Sequence, residues 1–175
     1  NLYNEGKGIL AFRLAGNIVA YATNMELPKP KLTKNVLAED KLEIKLPRNY
    51  LKAGQLRHEG DWEPAPQALR NLMMHLRNTA RIDVALQKEA VSMTSANMFQ
   101  YRFLYMHGRR RFNFADGDLK NLRANLKTGG LLLADACCGS KEFDAAFRDM
   151  ANRLYPEAKL VTIPDDDPLY GAELN

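Results

Sequence analysis

The sequence predicts an α/β domain of three-layer, Rossmann or flavodoxin-like architecture with a mostly parallel sheet. From residue 50 onwards, short apolar runs alternate with segments whose apolar positions recur at helical spacing. Strands separated by single helices favour parallel pairing with right-handed crossovers. One run, Leu131–Ala134, is continuously apolar, which is typical of a central strand buried on both faces.

The elements of this domain follow one another from residue 51. A first strand is predicted at Leu51–Arg57, and a helix from Pro66 to Asn78 carries Leu69, Leu72 and Leu76 on one face. The later predicted elements are strands at Ile82–Leu86, Arg102–His107, Leu131–Ala134 and Lys159–Ile163, a helix from the N-cap Asp116 to Gly129-Gly130, and a helix from the N-cap Ser140 to Pro156.

The first 47 residues differ from this pattern. Residues 7–23 are predicted to form a helix because their apolar positions recur at near-helical spacing. Leu27-Pro28-Lys29-Pro30-Lys31 predicts an extended, hydrated arm, and a short strand is expected at Leu42–Leu46. We therefore expect two parts, an N-terminal helix with a Pro/Lys-rich arm (residues 1–47) and the α/β domain (residues 48–175).

The composition bounds the classes of protein to which the chain can belong. Of its 175 residues, 46% are hydrophobic and 26% are charged, as in ordinary soluble globular proteins. No uninterrupted apolar stretch reaches the ~20 residues that span a bilayer, so no membrane span is predicted in this segment. A net charge of +4 is too small to indicate specific nucleic-acid binding. The basic cluster Arg109-Arg110-Arg111 is either a solvated loop or a phosphate-binding loop.

The carboxyl ends of the predicted strands indicate where a ligand would bind, because open parallel sheets bind ligands beyond that edge. The loops there carry most of the reactive side chains. We expect the following residues to contact a small-molecule or protein partner: His58, Asp61, Trp62, Arg109, Cys138, Gly139 and Ser140.

The segment Asp135–Ser140 is the sharpest of these loops. A thiol on a tight turn between a strand and a helix is a common place for a cysteine nucleophile, because the helix N-terminus stabilises the thiolate and lowers its pKa. In that interpretation Cys137 is the nucleophile and His107 the base, with His58 as the second choice of base. Asp135 would orient the base. The alternative is a small side chain packed at a crowded strand–helix junction.

No cofactor and no metal are predicted. The sequence has no close His-x-His or Cys-x-x-Cys spacing, although a metal-dependent hydrolase built from the His and Asp side chains of these loops is a third interpretation. Cys137 and Cys138 are adjacent, and a bridge between neighbouring residues is strained, so no disulfide is predicted.

The segment from Gly129 to Gly139 resembles the bacterial domain of unknown function 4159 through its Gly-Gly, apolar run and Cys-Cys-Gly. The resemblance extends over about residues 48–170. It includes Gly60–Trp62, Phe103–Gly108, Leu122–Gly139, Phe143–Arg148 and Leu160–Leu169. It implies a fold similar to class I glutamine amidotransferases, with a flavodoxin-like sheet, and no established activity.

The amidotransferase comparison extends to a motif that resembles Gly-x-Cys-x-Gly around the nucleophile. Cys137 and Gly139 match this motif, whereas Asp135 stands at the first glycine. The catalytic His of that superfamily comes later in the chain, but no His follows Cys137 here, and Asp167 stands where family members often have His.

These observations lead to two main hypotheses of function. The first is a non-catalytic module that binds a ligand or partner, because the triad is incomplete. The second is a cysteine-dependent hydrolase or amidotransferase-like enzyme. The helix around Asn17–Thr23 resembles the one that closes such domains, and it is interpreted either as the tail of a preceding domain copy or as a helix that packs on the sheet in an unusual order. We therefore expect a piece of a longer bacterial protein, secreted or associated with the cell envelope, whose other domains are partners.

Overall fold

The computed structural model describes residues 2–23 and 50–170. The helices are α1 (Leu2–Thr23), α2 (Ala68–Ala80), α3 (Asp116–Lys127) and α4 (Lys141–Leu154), and the strands are β1 (Ala53–Leu56), β2 (Glu89–Val91), β3 (Phe103–Gly108) and β4 (Leu131–Ala136). The predicted N-terminal helix is confirmed. The Pro/Lys-rich arm and the strand predicted at Leu42–Leu46 lie outside the described residues.

The strands form one sheet in the order β2-β1-β3-β4, and all three pairings are parallel. Gln55 of β1 lies opposite Tyr105 of β3, which in turn lies opposite Leu133 of β4. This order is the first part of the flavodoxin-like order 2-1-3-4-5. The α/β class and the parallel sheet predicted from the sequence are confirmed.

One face of the sheet packs against α3 and α4. Leu104 and Met106 of β3 are fully buried there together with Leu122 of α3 and Phe143 and Met150 of α4. The helices supply these residues because their apolar positions recur every three or four residues, which places them on one side. Burial of each such side chain contributes about 1.5–3 kcal/mol to the stability of the fold.

The opposite face of β1 and β3 is polar towards its carboxyl end. Side chains alternate along a strand, so Gln55, Tyr105 and His107 point away from the core formed with α3 and α4. Asp135 is the partner of His107 in the parallel register with β4. The alternation therefore gathers four polar side chains at one edge of the sheet.

The second strand is not where the sequence predicted it. Within Ile82–Leu86 only Val84 makes a bridge, to Leu51, and the edge strand beside β1 is instead β2. Ile82 and Val84 are buried, so their apolar character reflects packing rather than membership of the sheet. The true strand was missed because its Glu-Ala-Val sequence has little apolar signal.

The strand at Leu131–Ala134 was predicted to be central, but β4 is an edge strand of the described sheet. The strand predicted at Lys159–Ile163 is irregular, and Val161 is 81% exposed. Because β4 is paired on one side, Leu131 and its neighbours are half-buried rather than fully buried. A surface groove beside this edge is lined by residues that include Ala136 and Leu160.

The helix ends follow the sequence signals with one exception. The hydroxyl of Ser140 accepts a hydrogen bond from the backbone N–H of Phe143 at 3.2 Å, which confirms it as the N-cap of α4. Gly129, with φ +93°, follows α3 as expected. Asp116 was predicted to be the N-cap of α3, but the cap is Ala115, and the carboxylate of Asp116 instead accepts from Arg153.

The described residues divide into two compact units. One contains residues 2–23, 50–51, 70–86 and 163–170, and in it Asn17 donates to the carbonyl of Leu169 at 2.9 Å. The other contains residues 52–69 and 87–162, with the whole sheet, α3, α4 and every candidate site residue. Within the part of the chain that the structure describes, each helix falls short of what a bilayer-spanning helix needs.

Candidate functional site

The loops after β1 and β3 are joined at the carboxyl edge of the sheet by His58. The backbone N–H of Gly60 donates to Nδ1 of His58 at 3.0 Å, so the ring proton is on Nε2, which donates to the carbonyl of His107 at 2.8 Å. Burial lowers the pKa of His58 and keeps the ring neutral. With both nitrogens occupied, His58 positions the loops and has no free nitrogen to serve as a base.

The carbonyl of Gly60 completes this junction by accepting from the backbone N–H groups of Arg109 (3.2 Å) and Arg110 (3.1 Å). A Cβ atom on Gly108 would lie 2.7 Å from both the carbonyl oxygen of Gly60 and Cε1 of His58. The two loops can approach this closely only because position 108 lacks a side chain.

The loop after β4 is held by Ser140. Its hydroxyl donates to the carbonyl of Arg109 at 2.5 Å while it caps α4. On the outer side, Nε of Arg109 donates to the carboxylate of Asp61 at 2.8 Å. Asp61 has φ +60°, a left-handed conformation that Asp tolerates better than most residues. All three loops are therefore linked through the backbone and side chain of Arg109.

His107 lies beneath these loops and is 1% exposed. The side-chain Nε2 of Gln55 donates to the carbonyl of Trp62 at 2.9 Å, which fixes the orientation of the amide. The second proton of that nitrogen then points to Nε2 of His107, also 2.9 Å away. His107 must accept it, so its own proton is on Nδ1. That Nδ1 has no hydrogen-bond partner among the described residues.

Burial and the neighbouring charges shift the pKa of His107 in opposite directions. Burial lowers its pKa most, Asp135 opposes this, and His58 and Lys88 lower it further. The hydroxyl of Tyr105 donates to the carboxylate of Asp135 at 3.4 Å. Burial, with the negative charge of Asp135 second, raises the pKa of Tyr105, so that hydroxyl keeps its proton at neutral pH.

Trp62 presents its ring to two cations. The guanidinium of Arg57 lies 5.2 Å from the ring centroid and the ammonium of Lys88 lies 5.8 Å from it. Lys88 is also paired with Glu63. Two cationic side chains therefore lie close to the indole. The backbone carbonyl of Trp62 also fixes the orientation of the Gln55 amide.

The two cysteines form the turn between β4 and α4. Their sulfur atoms are 3.7 Å apart, Cys137 is half-buried and Cys138 is exposed, and Cys138 has φ 58° and ψ 25°. Burial, and then the neighbouring thiol of Cys138, raises the pKa of Cys137. This direction is opposite to the lowering expected for a nucleophile at a helix N-terminus.

The structure gathers the predicted site residues without assembling a triad. The ring of His58 bonds to the backbone of Gly60 and of His107, and the ring of His107 bonds to the side chain of Gln55. Within residues 50–170, neither ring makes a hydrogen bond to a thiol. The described residues contain no group of three or more His, Cys, Asp or Glu side chains that could hold a metal. Gly139 is exposed on the turn between β4 and α4.

Gln55 and Tyr105 belong to the candidate site although neither was expected there from the sequence. Gln55 could have been recognised, since it is a polar residue between Gly54 and Leu56 within the predicted strand Leu51–Arg57. Tyr105 gave no such signal, because an aromatic residue in a strand is ordinary.

Together, the parallel strand order and the polar carboxyl edge define an α/β protein with a flavodoxin-like sheet. The family model described as Domain of unknown function (DUF4159) matches residues 50–175, and the chain belongs to this family. The resemblance stated from the sequence is thereby confirmed at the level of the family. None of the curated proteins compared with the chain matches it.

Proposed function

We propose that the α/β domain is a non-catalytic module that binds a small molecule or a protein segment at the carboxyl edge of its sheet, within a larger bacterial protein. One observation carries the proposal. The proton on Nδ1 of His107 is buried and has no acceptor among the described residues. Leaving such a donor unsatisfied costs about 1–3 kcal/mol, which a ligand acceptor would offset.

The chemistry of this donor indicates the ligand class. A neutral imidazole N–H donates to a carbonyl, carboxylate or phosphate oxygen. The loops at the carboxyl edge would supply further contacts to the ligand. These contacts would come from the exposed turn at Cys138 and Gly139 and from the side chains of Asp61, Trp62, Arg109 and Ser140. His58 supports the site indirectly, because its ring holds the first two loops together.

A second candidate function is a cysteine-dependent hydrolase or amidotransferase-like enzyme. The observation that favours it is the sharp strand-to-helix turn, where nucleophiles of α/β enzymes sit on a strained backbone. Here the left-handed residue is Cys138, whereas the motif comparison nominated Cys137.

We propose that the fold is related to class I glutamine amidotransferases and that the triad of Cys137, His107 and Asp135 is not functional.

Titration of the histidine nitrogens tests the binding proposal. The full chain, labelled with ¹⁵N at histidine, is titrated with acetate, inorganic phosphate and acetamide as separate probes of the three oxygen classes. We expect Nδ1 of His107 to shift with at least one probe, while His75, which lies in the other unit, does not. A His107 signal that none of the probes moves contradicts the proposal.

Alkylation of the thiols as a function of pH distinguishes the two candidates. Cys137 and Cys138 are alkylated with iodoacetamide and quantified by peptide mass spectrometry. The binding proposal expects Cys137 to react with an apparent pKa above the ~8.5 of a free thiol, because burial disfavours its thiolate. An apparent pKa well below that value at either cysteine supports the enzyme instead.

A further inference from the structure

The backbone of Cys138 brings two neighbouring thiols to the same side of the chain. In extended backbone, successive side chains point to opposite sides. Cys138 instead has φ 58° and ψ 25°, which few residues other than Gly, Asn and Asp adopt. As a result the sulfur atoms of Cys137 and Cys138 are in contact at 3.7 Å.

We propose that Cys137 and Cys138 form a redox-active dithiol that low-molecular-weight disulfides convert reversibly into a disulfide between the two neighbouring residues. The proposal rests on the contact between the sulfur atoms and on the exposure of Cys138 at the carboxyl edge. It does not rest on the proposed ligand-binding function.

The exposures of the two thiols give the order of the steps. The thiolate of exposed Cys138 attacks one sulfur of the small disulfide, forms a mixed disulfide and releases one small thiolate. The thiolate of half-buried Cys137 then attacks the sulfur of Cys138 and displaces the second small thiolate. The protein loses two electrons and two protons, and the small disulfide becomes two thiols.

The product is expected to be easily reduced. Neighbouring Cα atoms are about 3.8 Å apart, which is shorter than the roughly 4.4–6.8 Å of most disulfides, so the bridge is strained. Strained and exposed disulfides have higher reduction potentials and are the labile ones. The same strain is the reason why the sequence alone predicts no disulfide here. The left-handed backbone at Cys138 removes one obstacle by placing the sulfur atoms together in advance.

Intact mass after oxidation tests this proposal on the full chain. The reduced protein is incubated with oxidised glutathione, free thiols are blocked with iodoacetamide, and the masses of the chain and of the peptide containing both cysteines are measured. We expect the chain to lose one hydrogen from each thiol, to retain no glutathione and to recover its reduced mass with dithiothreitol.

Two single variants supply controls. Cys137→Ser is expected to keep one glutathione on Cys138, because no second thiol can displace it. Cys138→Ser is expected to react more slowly, since its remaining thiol is less exposed. The wild-type result decides the proposal even if either variant folds poorly. Retained glutathione on the wild-type chain, covalent dimers or unreacted thiols would each overturn it, as would equally fast ring closure in the urea-unfolded chain.

Discussion

The Nε2 atom of His58 lies 2.8 Å from the carbonyl oxygen of His107, and this hydrogen bond joins the ends of β1 and β3. The same ring accepts from Gly60 and packs against Phe112 and Phe143. His58 therefore acts as a structural link under the candidate site, although its position in the sequence suggested a base or a ligand contact.

Replacement of this link should destabilise the domain. His58→Ala removes an aromatic ring from the core and leaves the carbonyl of His107 and the N–H of Gly60 without their partner. We expect the free energy of unfolding to fall by about 2–4 kcal/mol in urea denaturation. Arg110→Ala is the matched control, since Arg110 is exposed and its loop contact is made by the backbone; we expect a change within about 0.5 kcal/mol. Equal effects of the two substitutions would contradict the structural role of His58.

The stability of the protein should decrease as the pH falls below 6.5. Burial lowers the pKa of His58 and of His107 below the usual value of 6.5, so the folded state favours the neutral rings while the unfolded state takes up protons near 6.5. This stability is fully present above 6.5 and is lost as the pH falls through the two lowered pKa values. Urea midpoints measured above and below 6.5 check the direction.

The double variant His58→Gln/His107→Gln is the control for this pH dependence. It should show a shallower decrease than the wild type, because the carboxylates and His75 remain to titrate in both proteins. Identical slopes for the two proteins would mean that neither ring resists protonation in the folded state.

The close approach of two loops makes Gly108 intolerant of a methyl group. In Gly108→Ala the new Cβ would lie 2.7 Å from the carbonyl oxygen of Gly60 and from Cδ2 of Phe143, so we expect a loss of about 1–3 kcal/mol. Gly117→Ala should do the opposite and stabilise the protein by about 0.5 kcal/mol, because Gly117 lies in α3 and a Cβ there would meet no atom within 4 Å. Thermal denaturation compares the two, and a tolerated Gly108→Ala would argue against the observed loop packing.

Ser140 should stabilise the fold through two hydrogen bonds of its hydroxyl, one as the N-cap of α4 and one to the loop after β3. Ser140→Ala is expected to cost about 1–2 kcal/mol and to speed hydrogen exchange at the amide of Phe143, which loses its acceptor. Ser140→Thr keeps the hydroxyl and should retain most of the protection. If the alanine variant left exchange at Phe143 unchanged, the capping bond would not contribute in solution.

Only part of the candidate site could be predicted from the sequence. The order of strands and helices was enough to place the loops that contain His58, His107 and Cys137 together at the carboxyl edge of the sheet, which is the edge where parallel sheets bind ligands. The tautomer of His107 could not be predicted, since it depends on Gln55, fifty-two residues away in the chain. Nor could the left-handed backbone at Cys138, which lies before a glycine and could have been extended.

The sequence by itself determined the α/β class, the parallel pairing, α4 with its Ser140 cap and the end of α3, because these depend on apolar periodicity and on local capping chemistry. Only the tertiary structure decided which strands pair. Glu89–Val91 joins the sheet although its own signal is weak, while Lys159–Ile163 stays irregular despite a stronger one. Strand pairing is a property of two distant segments together, so neither segment encodes it alone.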